Sequence, residues 1–403
     1  MIVLYITYDG ILDPLGESQI LPYIKGISCH QDKVIVLSFE KPKRILNGYE
    51  SISEQMNDFG IQWNFISFTS SFGLLGKAWD LLRMYCLSCY LTYKHNVKIV
   101  HARSHLPTQI GLFLKRIFGV KLIFDFRGLW VDERVDKGGW DLNRLSHRMQ
   151  FNYFKSLEKK MLAKSNKIVV LTRKVVDEGV RLSDNSDLKV TVIPCCADFD
   201  HFKLSTSARK NNAKNYFNIP IDAFVYGYLG SVGNMYMLDR FFRLFTLAAK
   251  HDSKCHAVLI TQDVFAAQKL MKSYLSKKLF PRIHIKSANR KEIINILPAM
   301  DIMISFVLPS YARISMSPTK IAECFSAGIP IVSNPGIGDV KEIVEKINGG
   351  VIVDPFLDDN LMKIVNKRSE IALKGGVLLR NVARPMLGLE LANMLYKSVY
   401  KEL

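Results

Sequence analysis

The sequence predicts an α/β fold of two doubly wound domains, each a parallel sheet covered by helices on both faces. Three observations carry this. Apolar, β-rich runs alternate with longer amphipathic segments. The pattern stops in a polar stretch and then restarts with a new strand at 224–229. The chain has 403 residues, more than one hydrophobic core usually serves.

In the first half the expected strands are 1–8, 33–39, 62–67, 97–101, 120–125, 167–171 and 190–194. Segments of helical length lie between them at 18–30, 74–95, 107–118 and 143–164. The strands are continuously apolar rather than alternating, as in a sheet buried on both faces. The opening run Met-Ile-Val-Leu-Tyr-Ile-Thr-Tyr-Asp-Gly is read as a first buried strand. It has no basic leader and its apolar run is too short for a signal peptide. No run of about eighteen apolar residues occurs, so no transmembrane helix is expected.

In the second half, strands are expected at 224–229, 256–260, 283–285, 301–306, 329–333 and 351–353, with helices near 236–250, 263–278, 290–297, 318–327 and 338–347. The join lies near 193–220, where Ile-Pro-Cys-Cys-Ala-Asp-Phe gives way to a stretch rich in Lys, Asn and Ser. The domains are therefore drawn as 1–200 and 201–385. The amphipathic segment 386–403 has no place in the second sheet. Open α/β sheets bind ligands at the carboxyl ends of their strands, so two such domains facing each other place a ligand in the cleft between them.

Hydrophobic residues make up 48% and charged residues 23%, which argues against disorder. The formal net charge of +18 points to an anionic partner: nucleic acid, a membrane surface or a phosphate-bearing substrate. A generally basic genome composition reads the same way. No helix-turn-helix, RNA-recognition or zinc motif is present, so a nucleic-acid partner is not expected. The seven cysteines lack regular spacing; Cys86 and Cys89 stand alone without a second pair or histidines, so no metal site is expected and reduced thiols in the cytoplasm fit best. Residues 72–96 are rich in Leu, Tyr and Trp with interspersed cations. They read as a core helix, or as one lying on an anionic membrane.

Two turns in the second half can hold phosphate. Gly230-Ser231-Val232-Gly233 follows a strand and precedes a helix, where glycines let the backbone approach a phosphate. A plain strand–helix turn reads equally well, since this is not a Gly-x-Gly-x-x-Gly fingerprint. In Ser315-Met316-Ser317-Pro318-Thr319-Lys320-Ile321-Ala322-Glu323, Pro318 suits a first helical turn and Ser317 an N-cap. This puts N–H groups and the Lys320 ammonium at one helix start, a seat for pyrophosphate. Glu323 shares the face of Thr319 and Lys320 and can accept from ribose hydroxyls. The other reading is a capped helix with a surface Lys–Glu pair. Asn334-Pro335-Gly336-Ile337-Gly338-Asp339 is a turn that shapes the wall.

In the first half, the loop Tyr8-Asp9-Gly10 to Gln19 follows the first strand and includes Asp13. His101-Ala102-Arg103 ends one strand. The segment 124–134, with Asp125, Arg127, Asp132 and Glu133, is a loop dense in charge and aromatics. Together these residues mark a substrate site.

The pairing of Tyr-Leu-Gly-Ser-Val-Gly with Pro-Thr-Lys-Ile-Ala-Glu-Cys-Phe-Ser-Ala-Gly-Ile-Pro-Ile-Val resembles glycosyltransferase family 4. The segments Tyr-Asp-Gly-Ile-Leu-Asp-Pro-Leu-Gly-Glu-Ser-Gln and Arg-Gly-Leu-Trp-Val-Asp-Glu-Arg resemble its polysaccharide-biosynthesis branch. The resemblance spans nearly the whole chain. It implies a GT-B fold, with the last helix crossing back to the first domain. It also implies retaining transfer from a nucleotide sugar without a metal or cofactor, the donor on the C-terminal domain and the acceptor on the N-terminal one. By position, Glu323 matches the ribose-holding carboxylate, Gly16 the first-loop glycine near the donor phosphates, and Gly230 the glycine opening the donor turn.

The sequence departs from the family at several positions. Ser231 stands where an arginine is usual, residues 234–237 contain no lysine, Ser315 stands at the first of two glutamates, and Arg103 replaces the second histidine of His-x-His. Lys320, with Arg103, Arg127 or Arg313, is expected to replace the missing diphosphate clamp. The expected donor site is thus Gly16, Gly230, Ser231, Gly233, Arg313, Ser317, Pro318, Thr319, Lys320 and Glu323, with a UDP- or GDP-sugar. The expected acceptor site is Asp13, His101, Arg103, Asp125, Arg127, Asp132 and Glu133, with a glycan or lipid-linked acceptor at the cytoplasmic face of the inner membrane. Arg103, Lys320 and Glu323 are the expected catalytic residues. Two other readings stand beside this one: a degenerate, non-catalytic binding subunit, and a nucleotide-sugar 2-epimerase of the same fold.

Overall fold

Runs such as Ile-Val-Leu-Tyr-Ile-Thr have no polar face to offer water, so a sheet built from them needs cover on both sides. The computed structural model describes residues 1–31, 33–69, 73–185 and 187–403. The chain divides into two compact units, Met1–Pro194 with Ala392–Leu403, and Cys195–Leu391.

The first unit runs β1 (Ile2–Thr7), α1 (Pro14–Gln19), α2 (Leu21–Ser28), β2 (Lys33–Glu40), α3 (Pro42–Asp58), β3 (Ile61–Ser67), α4 (Gly73–Lys94), β4 (Ile99–Arg103), α5 (His105–Phe118), β5 (Lys121–Phe126), α6 (Trp130–Asp136), α7 (Leu145–Lys164), β6 (Lys167–Val170), α8 (Lys174–Ser183) and β7 (Val190–Val192). The second runs α9 (Ser207–Tyr216), β8 (Val225–Leu229), α10 (Leu238–His251), β9 (His256–Ile260), α11 (Val264–Tyr274), β10 (Ile283–Lys286), α12 (Arg290–Ile296), β11 (Ile302–Ser305), α13 (Thr319–Ser326), β12 (Ile331–Ser333), α14 (Val340–Ile347), β13 (Gly350–Ile352), α15 (Asp358–Asn366), α16 (Arg368–Leu373) and α17 (Val377–Leu387). The last helix, α18 (Leu389–Lys401), belongs to the first unit from Ala392 onward.

Among the described residues the strands form two parallel sheets, β3-β2-β1-β4-β5-β6-β7 and β10-β9-β8-β11-β12-β13. Neighbouring residues of one strand serve opposite layers. In the second sheet Val225, Leu229, Met303 and Ile331 join one core. Tyr226, Tyr228, Ile302, Ile304 and Val332 join the other. In the first sheet Leu4, Ile6, Leu37 and Val100 pack with Met84 and Leu91 of α4 and Ile110 and Leu114 of α5. The strand order reverses between β1 and β4 and between β8 and β11. Loops leaving these strands are where an open α/β sheet binds ligands.

Some boundaries differ from the sequence expectation. Segment 18–30 is split, with Pro22 in the first turn of α2. Segment 263–278 ends as a helix at Tyr274 and continues as a 3-10 turn around Pro281. The stretch 124–134, read as a loop, contains α6, so Asp132 and Glu133 stand in a helix's first turn, where the dipole favours acids. Among the described residues no helix is long and apolar enough to cross a membrane.

Candidate functional site

In the second unit, β8 ends at Leu229 and the chain turns at Gly230, whose φ of +137° is closed to most side chains. The Gly230 amide donates to Ile260, the Val232 amide to the Asp263 carboxylate, and the Tyr228 hydroxyl to the Ser231 carbonyl. After β11, Asn334 brackets Val307, accepting from its N–H at 2.8 Å and donating to its carbonyl at 2.9 Å. A 3-10 turn over Tyr311–Ser315 then leads to α13.

Helix α13 starts at Thr319 and no side chain caps it. The Ser317 hydroxyl, expected as the cap, instead accepts from the Cys195 backbone N–H at 3.1 Å. The first N–H groups of α13 therefore have no side-chain acceptor, and the positive end of the helix dipole is uncompensated.

Lys320 is not a surface lysine. Its residue is 8% exposed, and its Nζ is buried without a hydrogen-bond partner. The ammonium lies 5.2 Å from the Tyr228 ring centroid and 4.5 Å from that of Tyr236. A Cβ on Gly230 would stand 3.2 Å from it. Burial lowers its pKa to about 8, against the opposing pull of Cys324 and Glu323. Glu323, one turn on, has a side chain 12% exposed, and its nearest cation is Arg290 at 3.8 Å. Burial raises its pKa, opposed by Arg290 and Lys320. Among the described residues no hydrogen bond reaches its carboxylate. A buried ammonium with no hydrogen bond and a carboxylate with none, beside an uncapped helix, form a site whose hydrogen-bonding capacity is not filled within the protein. Arg313 and Ser315 are buried nearby, with the Ser315 hydroxyl donating to the Ala312 carbonyl.

In the first unit, Arg103 ends β4 and Asp125 lies in β5 beside it. Asp125 is fully buried. Arg127 and Arg103 approach its carboxylate at 3.5 and 3.6 Å, and the His101 ring at 3.6 Å. The Tyr396 hydroxyl reaches it at 3.5 Å. Burial opposes its charge, but Arg127, His101 and Arg103 outweigh burial and hold the carboxyl below its usual range. His101 Nδ1 is 2.6 Å from the Tyr400 hydroxyl. His101 and Asp125 do not stand open at the sheet edge as expected of acceptor contacts: both are fully buried beneath α18, His101 meeting Tyr400 and Asp125 meeting Tyr396 of that helix. Arg103 is 3% exposed, and its Nε faces the exposed Asp9 at 3.5 Å.

The other first-unit candidates do not gather there. Asp13 pairs with Lys41 at 2.8 Å. Asp132 pairs with Lys155, which also holds the buried Glu158, the partner of His105. Glu133 pairs with Lys137. Gly16 is fully occupied by packing, since a Cβ there would stand 2.1 Å from the Gly10 carbonyl and 2.4 Å from that of Ile11.

Arg290, Tyr228, Tyr236 and Glu40 were not singled out in the sequence. Glu40 anchors the first loop by accepting from the Ile11 and Leu12 amides and the Ser38 hydroxyl. Glu292 with Asn289 forms a capping box at the start of α12, the one sequence signal that fixes where Arg290 sits. A separate cavity of about 590 Å³, lined by Arg209, Asn212, Tyr216, Lys286, Glu292 and Asn295, contains none of the expected residues. Among the described residues no three His, Cys, Asp or Glu side chains are grouped to hold a metal ion.

No family model matches the chain, and no curated protein matches it in sequence. Solved structures do match over their whole length. HepE from Anabaena, solved with UDP and glucose, is similar with a TM-score of 0.72 and 16% identity, covering 100% of both chains. A glycosyltransferase from Rickettsia africae is similar at 0.71 and 16%, covering 100% of this chain and 98% of that one. The lipopolysaccharide outer core galactosyltransferase WaaB is similar at 0.63 and 10%, covering 100% of both.

The fold is GT-B. In this GT-B chain, the Gly230 turn and the α13 start both sit at the carboxyl ends of the two strands between which the second sheet reverses. Arg103 and Asp9 hold the equivalent place in the first sheet.

Proposed function

We propose that this GT-B chain is a glycosyltransferase of family 4. In this reading it transfers a sugar, with retention and without a metal, from a UDP- or GDP-sugar to a glycan or lipid-linked acceptor in surface polysaccharide synthesis. The observation that carries the reading is Lys320: a buried ammonium without a hydrogen-bond acceptor, beside an uncapped helix start and a glycine turn. A diphosphate supplies the acceptors these groups lack. Glu323 then receives the ribose hydroxyls, with Arg290 beside it. HepE was solved with UDP and glucose, in keeping with such a donor.

The chemistry follows from the charge. Departure of the nucleoside diphosphate places negative charge on its β-phosphate, and Lys320 with the α13 N–H groups stabilises it. The acceptor hydroxyl attacks on the face the diphosphate leaves, and the departing phosphate takes its proton. The enzyme then needs no nucleophile of its own. Arg103 ends β4 and Arg127 follows β5, the first-unit strands that would face the acceptor. We place the protein at the cytoplasmic face of the inner membrane, where a lipid-linked acceptor resides.

A thermal-shift screen against UDP-, GDP-, ADP- and dTDP-sugars without added metal tests this. A ligand at a hundred times its Kd adds about 2.7 kcal/mol to the folded state, so one nucleotide class should raise Tm. Loss of that shift in Glu323→Ala locates the donor. Ser231 and Ser315, where the family has Arg and Glu, favour the reading of a degenerate binding subunit. A donor that binds but is never consumed in the presence of acceptor lipids would decide for it.

A further inference from the structure

Helix α4 carries a buried stripe and, on its other side, an exposed apolar one, where a helix on a sheet needs only the first. The inner stripe, Asp80, Met84, Ser88 and Leu91, is buried, with Met84 and Leu91 in the core of the first sheet. The outer stripe, Leu75, Trp79, Leu82, Tyr90 and Tyr93, follows the same three- and four-residue spacing on the opposite side. Its members are open to water, with Leu75 at 77%, Trp79 at 54% and Tyr93 at 80% exposure. Of the 72–96 segment, Phe72 lies outside the described residues. The neighbouring helix α5 adds exposed Phe113 and Ile117, and α7 adds exposed Met149 and Tyr153. Helices α4, α5 and α7 lie side by side, with Tyr85 of α4 edge-on to Phe113 of α5.

The charges on this layer are of one sign. The three helices contain two acids, Asp80 and Glu158, and both are buried. Asp80 is paired with Arg83, and Glu158 with Lys155, while the His105 ring lies 2.7 Å from Glu158. Lys77, Lys94, Arg116, Arg148 and Lys160 remain exposed. The three helices themselves therefore present apolar and aromatic side chains and no exposed carboxylate; an exposed acid outside them, Asp184, pairs with Lys159 at the α7 edge. A symmetric second copy would set these cations against themselves, since a two-fold interface pairs a patch with its own image. An anionic bilayer accepts both properties at once: aromatic and aliphatic side chains enter the headgroup boundary, and lysines and arginines stay at the phosphates.

We propose that the α4–α5–α7 face is a docking surface for an anionic lipid bilayer, with the outer stripe of α4 as its inserted edge. This deepens the membrane reading above, and its test needs neither donor nor acceptor. The full chain is sedimented with vesicles of phosphatidylcholine alone, or of phosphatidylcholine with phosphatidylglycerol. The expected result is binding to the second kind only, weakened by salt. Trp79→Glu and Tyr93→Glu should each lower it about tenfold or more. Lys77→Ala or Arg116→Ala should lower it roughly fivefold each, the equivalent of ~1 kcal/mol per surface cation. Leu373→Glu, equally exposed on the second unit, serves as the control and should leave binding unchanged.

Circular dichroism and the nucleotide-dependent Tm shift report whether each variant folds, so a lost donor site and a lost lipid face are told apart. Absence of binding by the unaltered chain would overturn the proposal. So would binding that survives both stripe substitutions, or self-association that Trp79→Glu abolishes.

Discussion

The Lys320 ammonium lies 4.5 Å from the Tyr236 ring centroid and forms no hydrogen bond. Aromatic faces compensate part of its charge, but a desolvated cation without an acceptor still costs stability. Lys320→Met keeps the volume and removes that cost. The unliganded variant should be more stable, on the order of 1–3 kcal/mol by urea denaturation, and should lose the nucleotide-sugar Tm shift. Unchanged donor affinity in this variant would remove Lys320 from the diphosphate site.

The same lysine predicts a pH dependence. Its folded pKa of about 8 lies below its ordinary 10.5. Above pH 8 the folded state releases a proton that the unfolded state keeps, so this group's penalty is present below pH 8 and relieved as pH rises towards 10.5. An anionic ligand reverses the preference and pulls the proton back. Donor affinity should therefore fall above pH 8, and calorimetry near pH 8.5 in buffers of different ionisation enthalpy should show proton uptake on binding. Equal heats in all buffers would contradict this.

Glu323 predicts selectivity for ribose over deoxyribose. A carboxylate without hydrogen-bond donors inside the protein is left unpaired by a ligand that lacks a hydroxyl. For a uridine-class site, the Kd for a 2′-deoxy donor should exceed that for the ribo donor by about tenfold. The gap should close in Glu323→Ala. A gap that persists would place the ribose contact elsewhere.

Asp125 predicts a stability change rather than a binding one. It neutralises Arg103 and Arg127 in the interior. Asp125→Asn should cost about 3–5 kcal/mol, as for other buried charges that lose a partner. Because the folded carboxyl titrates below its usual 3.8, its contribution is complete above that value and is lost as pH falls below it. The stability difference between the two proteins should therefore be full at pH 7 and shrink below pH 4.

The three site glycines should separate by cause. Gly16→Ala drives a Cβ into backbone and should lower stability by about 1–3 kcal/mol. Gly230→Ala meets both a positive φ and the Lys320 ammonium, so it should lose stability and donor binding together. Gly233→Ala meets open space and should change little. Matching Tm values for all three would refute this ordering.

Strand positions were legible because their signal is local. A continuous apolar run such as Val225–Leu229 states its own burial, and the restart of the pattern after 220 states a second sheet. The glycine turn and the Pro-Thr-Lys-x-x-Glu start were legible for the same reason, as short spacings at strand ends. Their environment was not. Whether Lys320 is a surface lysine or a buried one depends on Tyr228 and Tyr236, brought to it from another strand and loop. Ser317 looked like a helix cap, but the chain delivers the Cys195 amide to it from 122 residues away. The burial of His101 and Asp125 depends on α18, whose Tyr400 lies 299 residues from His101 in the chain. The sequence by itself determined the alternation of elements, because hydrophobic period and turn chemistry act between near neighbours. The tertiary structure alone decided which charges are buried, paired or left unpaired, because desolvation is set by every segment that packs around a group, however distant in the chain.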